Sequence, residues 1–439
     1  MLPKRRIRKF IPAVIVLVSA LLLGAFSLAG KAQEAAGAPE GAGSFSQVVE
    51  HRLPNGLQVL ILREPRAPLV THQIWYKVGS RNEELGKTGL SHVTEHLMFK
   101  DTHKYKAKEF SRLVQRAGGR DNAFTSKDYT AYFQNGPKTE LKRWMEMEAD
   151  RMRGLKVDEK AFETEKNVVL EERRLRTEDD PVGFLMEDAM AMAYKAHPYQ
   201  WPIIGWYHDL ETLNRQDFLK YYSTYYRPNN ATLVVVGDVD PKQVLTWAEQ
   251  TYGQIPASPE PPPVTAKEPR QYGERRVVVQ REAQLPYLVM AYHVPNWENP
   301  DAFALELLVH LLSQGRSSRL YHKLVYKKRL ALDAEIKNLQ TDLVEPKELE
   351  KAKNQVTANF YLSMDSLFYR GMVLGKLASV ARWDLVQEFI PKINQVTAED
   401  LRRVAREYLV PENRTIGVLL PIRGARPQVS RSRPAENVH

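Results

Sequence analysis

The residues His92-Val93-Thr94-Glu95-His96 carry the clearest chemical signal in the chain. Histidines four apart lie on one face of a helix, so both imidazoles reach a single metal ion. Glu95 is beside one histidine and three residues from the other, which turns its carboxylate to the same edge. The chemistry this suits is metal-assisted hydrolysis. A zinc ion takes three protein ligands and keeps a fourth position for water, whose pKa falls toward about 7 so that a nearby carboxylate can accept its proton.

The chain has no cysteine, which excludes disulfides, iron–sulfur clusters, thiolate zinc sites and thiol nucleophiles. Any metal must be held by histidine and carboxylate. The third ligand must come from a distance, and the run EKNVVLEE at 165–172 offers candidates. Glu165 and Glu172 are seven apart and share a helix face over two turns. Spacing leaves Glu163, Glu165, Glu171 and Glu172 all open. His72, His103, His197 and His208 lack ligand spacing and read as structural or solvated.

The elements around these residues read as a mixture of strands and helices. Alternating patterns predict strands at 57–64, 69–79 and 128–136, and a buried strand at 231–239. Helices are expected around 91–100 and 107–117, with one long helical zone from Pro137 to Arg176. In the second half, strands are expected at 276–280 and 286–293, and helices around 301–312 and 346–382. The stretch 213–236 aligns without a gap on 396–419, matching Asp217 with Asp400, Pro228 with Pro411 and Asn230 with Asn413. The repeated unit is a helix, a Pro-Asn turn and a buried strand, which points to a duplicated domain.

Several runs resemble the pitrilysin family, which includes insulysin and the mitochondrial processing peptidases: RNEELGKTGLSHVTEHLMFKDT (81–102), NAFTSKDYTAYF (122–133), EKNVVLEE (165–172), HPYQWPIIGWYHDLETL (197–213) and YYRPNNATLVVVGDVD (225–240). The resemblance is dense over residues 46–250 and thinner afterwards. It implies that His92 and His96 bind one Zn2+, that Glu95 is the general base, and that Glu172 completes the ligand set. It also implies that Glu165 orients a ligand histidine. Such sites invert the HExxH arrangement. Asn122, Ala123 and Phe124 match the family's edge strand, to which an extended peptide adds itself, although the rings of Phe124 and Tyr132 read as core. The implied fold is α+β: two related domains, each a mostly antiparallel sheet packed against helices.

The second half departs from the family. Its SSRLY run (317–321) is present, but the positions of a substrate-reaching Arg and Tyr are Val325 and Leu332. The run 329–335 also passes almost directly into 341–355, so the second domain is expected to be shortened. The resemblance then implies a zinc-bearing subunit working as a homo- or heterodimer with a related subunit that supplies Arg and Tyr. The alternative is a non-catalytic paralogue acting as partner of a peptidase.

Composition sets the frame. The 439 residues suffice for two domains plus tails. The net charge of +10 comes mostly from the ends, with five cations between Lys4 and Lys9 and an excess of three after Pro421. Little charge is left for the body, so nucleic-acid binding is not expected. Residues 1–32 read as a signal peptide or an uncleaved N-terminal anchor, giving a periplasmic or extracellular protein. A spacer (33–45), a zinc-bearing domain (46–254), a proline-rich linker (255–270), a second domain (271–422) and a disordered basic tail (423–439) follow.

Overall fold

The computed structural model of the chain describes residues 45–313, 319 and 331–422, with 14–17, 331 and 332 as backbone only. The signal segment apart from 14–17, the spacer up to residue 44, most of the SSRLY run, Val325 and the basic tail lie outside the described residues. Phe45, expected as the spacer's last residue, is instead buried in the core, where an apolar ring gains most.

Among the described residues ten strands form two sheets: β1 (Val14–Leu17), β2 (Val49–Arg52), β3 (Gln58–Arg63), β4 (Leu69–Tyr76), β5 (Arg120–Thr125), β6 (Thr130–Pro137), β7 (Ala231–Gly237), β8 (Arg275–Glu282), β9 (Tyr287–Tyr292) and β10 (Arg414–Ile422). The first sheet runs β2-β3-β7-β4-β6-β5, antiparallel at every pairing but β3 with β7. Strand β7 (ATLVVVG) is buried along its whole length, as a continuous apolar run in mid-sheet should be. The second sheet runs β1-β9-β10-β8 and is mixed: β8 is parallel to β10, and β9 is antiparallel to it.

The duplication shows in this order. β3-β7-β4 and β8-β10-β9 have the same sequence of parallel and antiparallel neighbours. The repeated helices, Arg215–Tyr225 and Ala398–Tyr408, each open with a capping box, Asn214 with Asp217 and Thr397 with Asp400. No counterpart of the β5–β6 hairpin stands beside β9 among the described residues, where β1 pairs instead. Among the described residues the second sheet thus lacks a hairpin at one edge.

Helices cover the sheets. In chain order the first five are α1 (Leu90–Leu97), α2 (Glu109–Arg116), α3 (Leu141–Gly154), α4 (Glu159–Arg173) and α5 (Pro181–Ala193). The helical zone expected as one piece from Pro137 is two helices, because Asp158 turns extended and accepts the N–H of Ala161 at 2.7 Å to start α4. Likewise the zone 346–382 is broken, with Ser366 capping a new helix, Leu367–Val380. The halves exchange helices: α5 packs on the second sheet through Leu185 and Ala189. The helix Leu367–Val380 packs on β4 and β7, where Gly375 meets the ring of Trp75 and Gly371 meets Gln73. One apolar core therefore joins Leu60, Trp75 and Val234 of the first sheet to Leu307, Leu374 and Phe389 of the second half.

Candidate metal centre

Helix α1 carries the motif and is set by its start. Gly89 has φ +88, and a Cβ there would stand 2.5 Å from the carbonyl oxygen of Ile204, so glycine is required. The N–H groups left without a helical partner at this start are met by Glu83, which accepts from Gly89 N at 2.9 Å and Ser91 N at 2.6 Å. Burial pushes the Glu83 carboxyl up to about 8, against the pull of its hydrogen bonds to Ser91 and Gly89. Helix α4 packs against α1 and brings the glutamates of 165–172 to the two histidines.

Of the four glutamates left open by spacing, Glu172 meets the imidazoles. Its Oε2 lies 3.4 Å from Nε2 of His96 and 3.8 Å from Nε2 of His92. One donor atom from each of His92, His96 and Glu172 lies within 4.8 Å of the others, the one such group of three among the described residues. Two ligands of a tetrahedral zinc stand about 3.3–3.5 Å apart; His96 and Glu172 are already at that spacing, and His92 would have to close in by a few tenths of an ångström from 3.8 Å. Glu163 is bound to Lys166 and Glu171 to Arg174, both away from the histidines.

The surroundings act on the two histidines in opposite directions. Burial, the neighbouring His96 and the charge of Arg176 bring His92 down to about 3, so its ring is neutral and its nitrogen lone pair available. Burial also pulls His96 down, but its hydrogen bond to Glu165 and the charges of Glu172 and Glu95 outweigh this and leave it raised. Oε2 of Glu165 stands 3.4 Å from Nδ1 of His96, and its other oxygen is bound by Lys100. The hydrogen bond to His96 and the Lys100 ammonium hold Glu165 low despite burial. Glu95 accepts a 2.5 Å hydrogen bond from the hydroxyl of Thr125 at the end of β5. Burial raises its pKa against that bond, giving a carboxylate more basic than usual.

Expected strand residues are placed differently from one another. Asn122, Ala123 and Phe124 lie on β5, the outer strand of the first sheet. Asn122 turns its Oδ1 back to accept the N–H of Ala123 at 2.9 Å. Phe124 packs edge-on against Trp75, with ring centroids 5.4 Å apart, so its side chain belongs to the core while its backbone lies on the edge. Buried His72 bonds Gln134 and Tyr252, a structural role.

Sequence reasoning missed Thr125, Glu83, Lys100 and Arg176. Thr125 directly follows the recognised edge residues, and Glu83 precedes the motif in the same matched run, so both signals were within reach. Lys100 and Arg176 each stand one helical turn after a site residue, His96 and Glu172, but that spacing alone does not single them out.

Residues 58–205 match the family model for insulinase (peptidase family M16), and residues 212–335 match that for the peptidase M16 inactive domain. The solved structure of a protease from Helicobacter pylori superposes with a TM-score of 0.82 at 31% identity, covering 85% of this chain and 100% of that one. The chain belongs to peptidase family M16. Within that family, the zinc protease PqqE of Helicobacter pylori is 40% identical over 292 residues, 66% of this chain and 66% of PqqE. The first half of the periplasmic protease PqqL from Escherichia coli shares the fold, with a TM-score of 0.71 at 18% identity over 85% of this chain and 92% of that one. M16 membership accounts for the two-domain plan and for relatives that are named zinc proteases.

Proposed function

We propose that this M16 protein is an exported zinc-dependent endopeptidase that hydrolyses extended or unfolded peptides, with His92, His96 and Glu172 holding one Zn2+ and Glu95 as general base. The observation that carries the reading is the approach of two imidazole Nε2 atoms to one Glu172 oxygen, with a half-buried, more basic carboxylate, Glu95, on the histidines' own helix alongside. A bound zinc would supply an acidified water and polarise the peptide carbonyl. The residues supply the rest. Glu95 takes the proton of the attacking water and passes it to the departing amine, and Thr125 keeps its carboxylate in place. Glu165 holds the His96 ring through Nδ1, so that Nε2 faces Glu172. The outer edge of β5 would take the peptide as an added strand beside Glu95.

Export rests on the basic and apolar N-terminus, and no helix among the described residues is long and apolar enough to cross a membrane. The shortened second sheet favours a two-subunit assembly in which this chain bears the zinc. The same feature supports a second reading, a non-catalytic partner subunit. Zinc-loaded protein should cleave a quenched library of extended peptides, alone or mixed with a related subunit. Glu95→Gln should keep the metal and lose turnover by roughly 10²–10⁴-fold or more. Unchanged turnover would remove Glu95 from the mechanism, and inactivity of the wild type in both settings would favour the second reading.

A further inference from the structure

Helix α4 does not end cleanly. After Arg173 the chain widens into a π turn, Arg174–Glu178, of the kind that often interrupts helices at functional sites. The three arginines at this junction differ. Arg173 is buried between Glu187 at 2.8 Å, Glu178 at 3.0 Å and the carbonyl oxygen of Gly205 at 2.6 Å. Arg174 is bound on the surface by Glu171 at 3.0 Å and Asp179 at 2.9 Å. Arg176 is 74% exposed, and its one ion-pair partner among the described residues is Glu172, 2.6 Å from Nη1 to Oε1.

That partner is the carboxylate whose other oxygen faces the histidines. The guanidinium therefore stands at the mouth of the metal centre, with its charge felt at both His92 and Glu95. An ion pair four residues apart whose arginine is largely in solvent contributes little to stability, so stability alone does not explain the arrangement. The other cation at the site, Lys100, is committed to Glu165. A guanidinium has five N–H donors in a planar fork matched to a carboxylate, and one nitrogen here is engaged. A divalent ion on Glu172 would share that carboxylate's charge and loosen its hold on Arg176.

We propose that Arg176 reads a carboxylate on the bound peptide next to the bond to be cut. The inference rests on the peptidase reading above and names its substrate class: extended peptides with an acidic group at the metal centre, either an Asp or Glu side chain or a free C-terminus. In the complex the fork swings from Glu172 to the peptide carboxylate, which it grips through two parallel N–H bonds. Peptides with a neutral or basic group at that place would forgo this contact.

Binding can be measured without turnover. Zinc-loaded Glu95→Gln protein would be titrated with fluorescent extended peptides that differ only in carrying Glu, Gln or Lys at one central position, each with a free or an amidated C-terminus. The expected result is about tenfold tighter binding of an acidic peptide than of its neutral counterpart. Adding Arg176→Gln should erase that ratio, and Arg176→Glu should reverse it in favour of Lys. The central-residue and terminal series separate the two sources of carboxylate. An acid-to-neutral ratio that survives Arg176→Gln overturns the proposal. So does an equal weakening of all peptides accompanied by lower zinc affinity in chelator competition, which would make Arg176 a positioning residue for Glu172. Absence of hydrolysis by the wild type would count against the peptidase reading alone, because the binding ratio is read independently.

Discussion

Glu165 grips the His96 ring at Nδ1, 3.4 Å away, on the side opposite the nitrogen that faces Glu172. Two glutamates one heptad apart on α4 thus hold the two nitrogens of one imidazole. A carboxylate at that place favours the tautomer with the proton on Nδ1 and would make Nε2 the better ligand for a metal. Replacing Glu165 by Gln keeps the shape and removes the charge that also binds Lys100. Zinc affinity, measured by competition with a chelator, should fall by about 10–100-fold with the circular-dichroism spectrum unchanged. Undiminished affinity would show that His96 needs no such support.

The motif residues themselves were legible because a helix repeats every 3.6 residues, which puts His92 and His96 on one face of any helix that holds both. The choice of Glu172 over Glu163, Glu165 and Glu171 was not. It depends on how α4 crosses α1, and no local spacing encodes a crossing; the family resemblance pointed to Glu172, and the packing places it there. The sheets were legible where alternation or a buried apolar run marked them, as at β3 and β7. Strand β5 was hidden from periodicity, since RDNAFT is mostly polar and none of its residues is fully buried. The helix exchange between halves left only faint marks, two glycines four apart at Gly371 and Gly375. That spacing has meaning only once Gln73 and Trp75 are seen against them.

Glu83 should make stability depend on pH. Its carboxyl is raised to about 8 by burial, above the ordinary value of 4.5. A raised carboxyl binds its proton more tightly in the folded state, so the contribution is full below about pH 4.5 and is lost as pH rises through 8. Glu83→Gln mimics the protonated form. The melting temperature of wild type minus that of Glu83→Gln should therefore decline between about pH 5 and 8 and level off above, because every tenfold change in proton affinity between the folded and unfolded states is worth about 1.36 kcal/mol. A difference that stays flat over this range would mean that Glu83 is ionised throughout.

The exchanged helix predicts a strong effect from one methyl group. A Cβ on Gly375 would stand 2.1 Å from Nε1 of Trp75, which is itself fully buried and bonded to Gln73 at 3.0 Å. Gly375→Ala must shift a packed ring or push the helix off the sheet, a cost of about 1–3 kcal/mol or more. In urea the midpoint should fall while the transition stays single, because one core spans both halves. Gly273→Ala, where a Cβ meets nothing within 4 Å, is the control and should change little. Two separated transitions would contradict the shared core.

The outer edge of β5 has a donor that can be removed by itself. The N–H of Ala123 is taken by its neighbour's side chain, Asn122 Oδ1 at 2.9 Å, and so points away from β6. An added peptide strand would displace that amide oxygen and bond the same N–H. Proline at 123 deletes the donor without breaking a ladder bond, and edge strands are where sheets accept proline. One hydrogen bond contributes about 0.5–1.5 kcal/mol net, so KM for an extended peptide should rise by roughly 2–10-fold. The turnover number should change far less, because Thr125 and Glu95 lie beyond the substituted residue. Zinc content should match the wild type. If KM is unmoved in a folded, zinc-replete Ala123→Pro protein, the substrate does not lie along this edge, and the peptide path must be sought on another wall of the site.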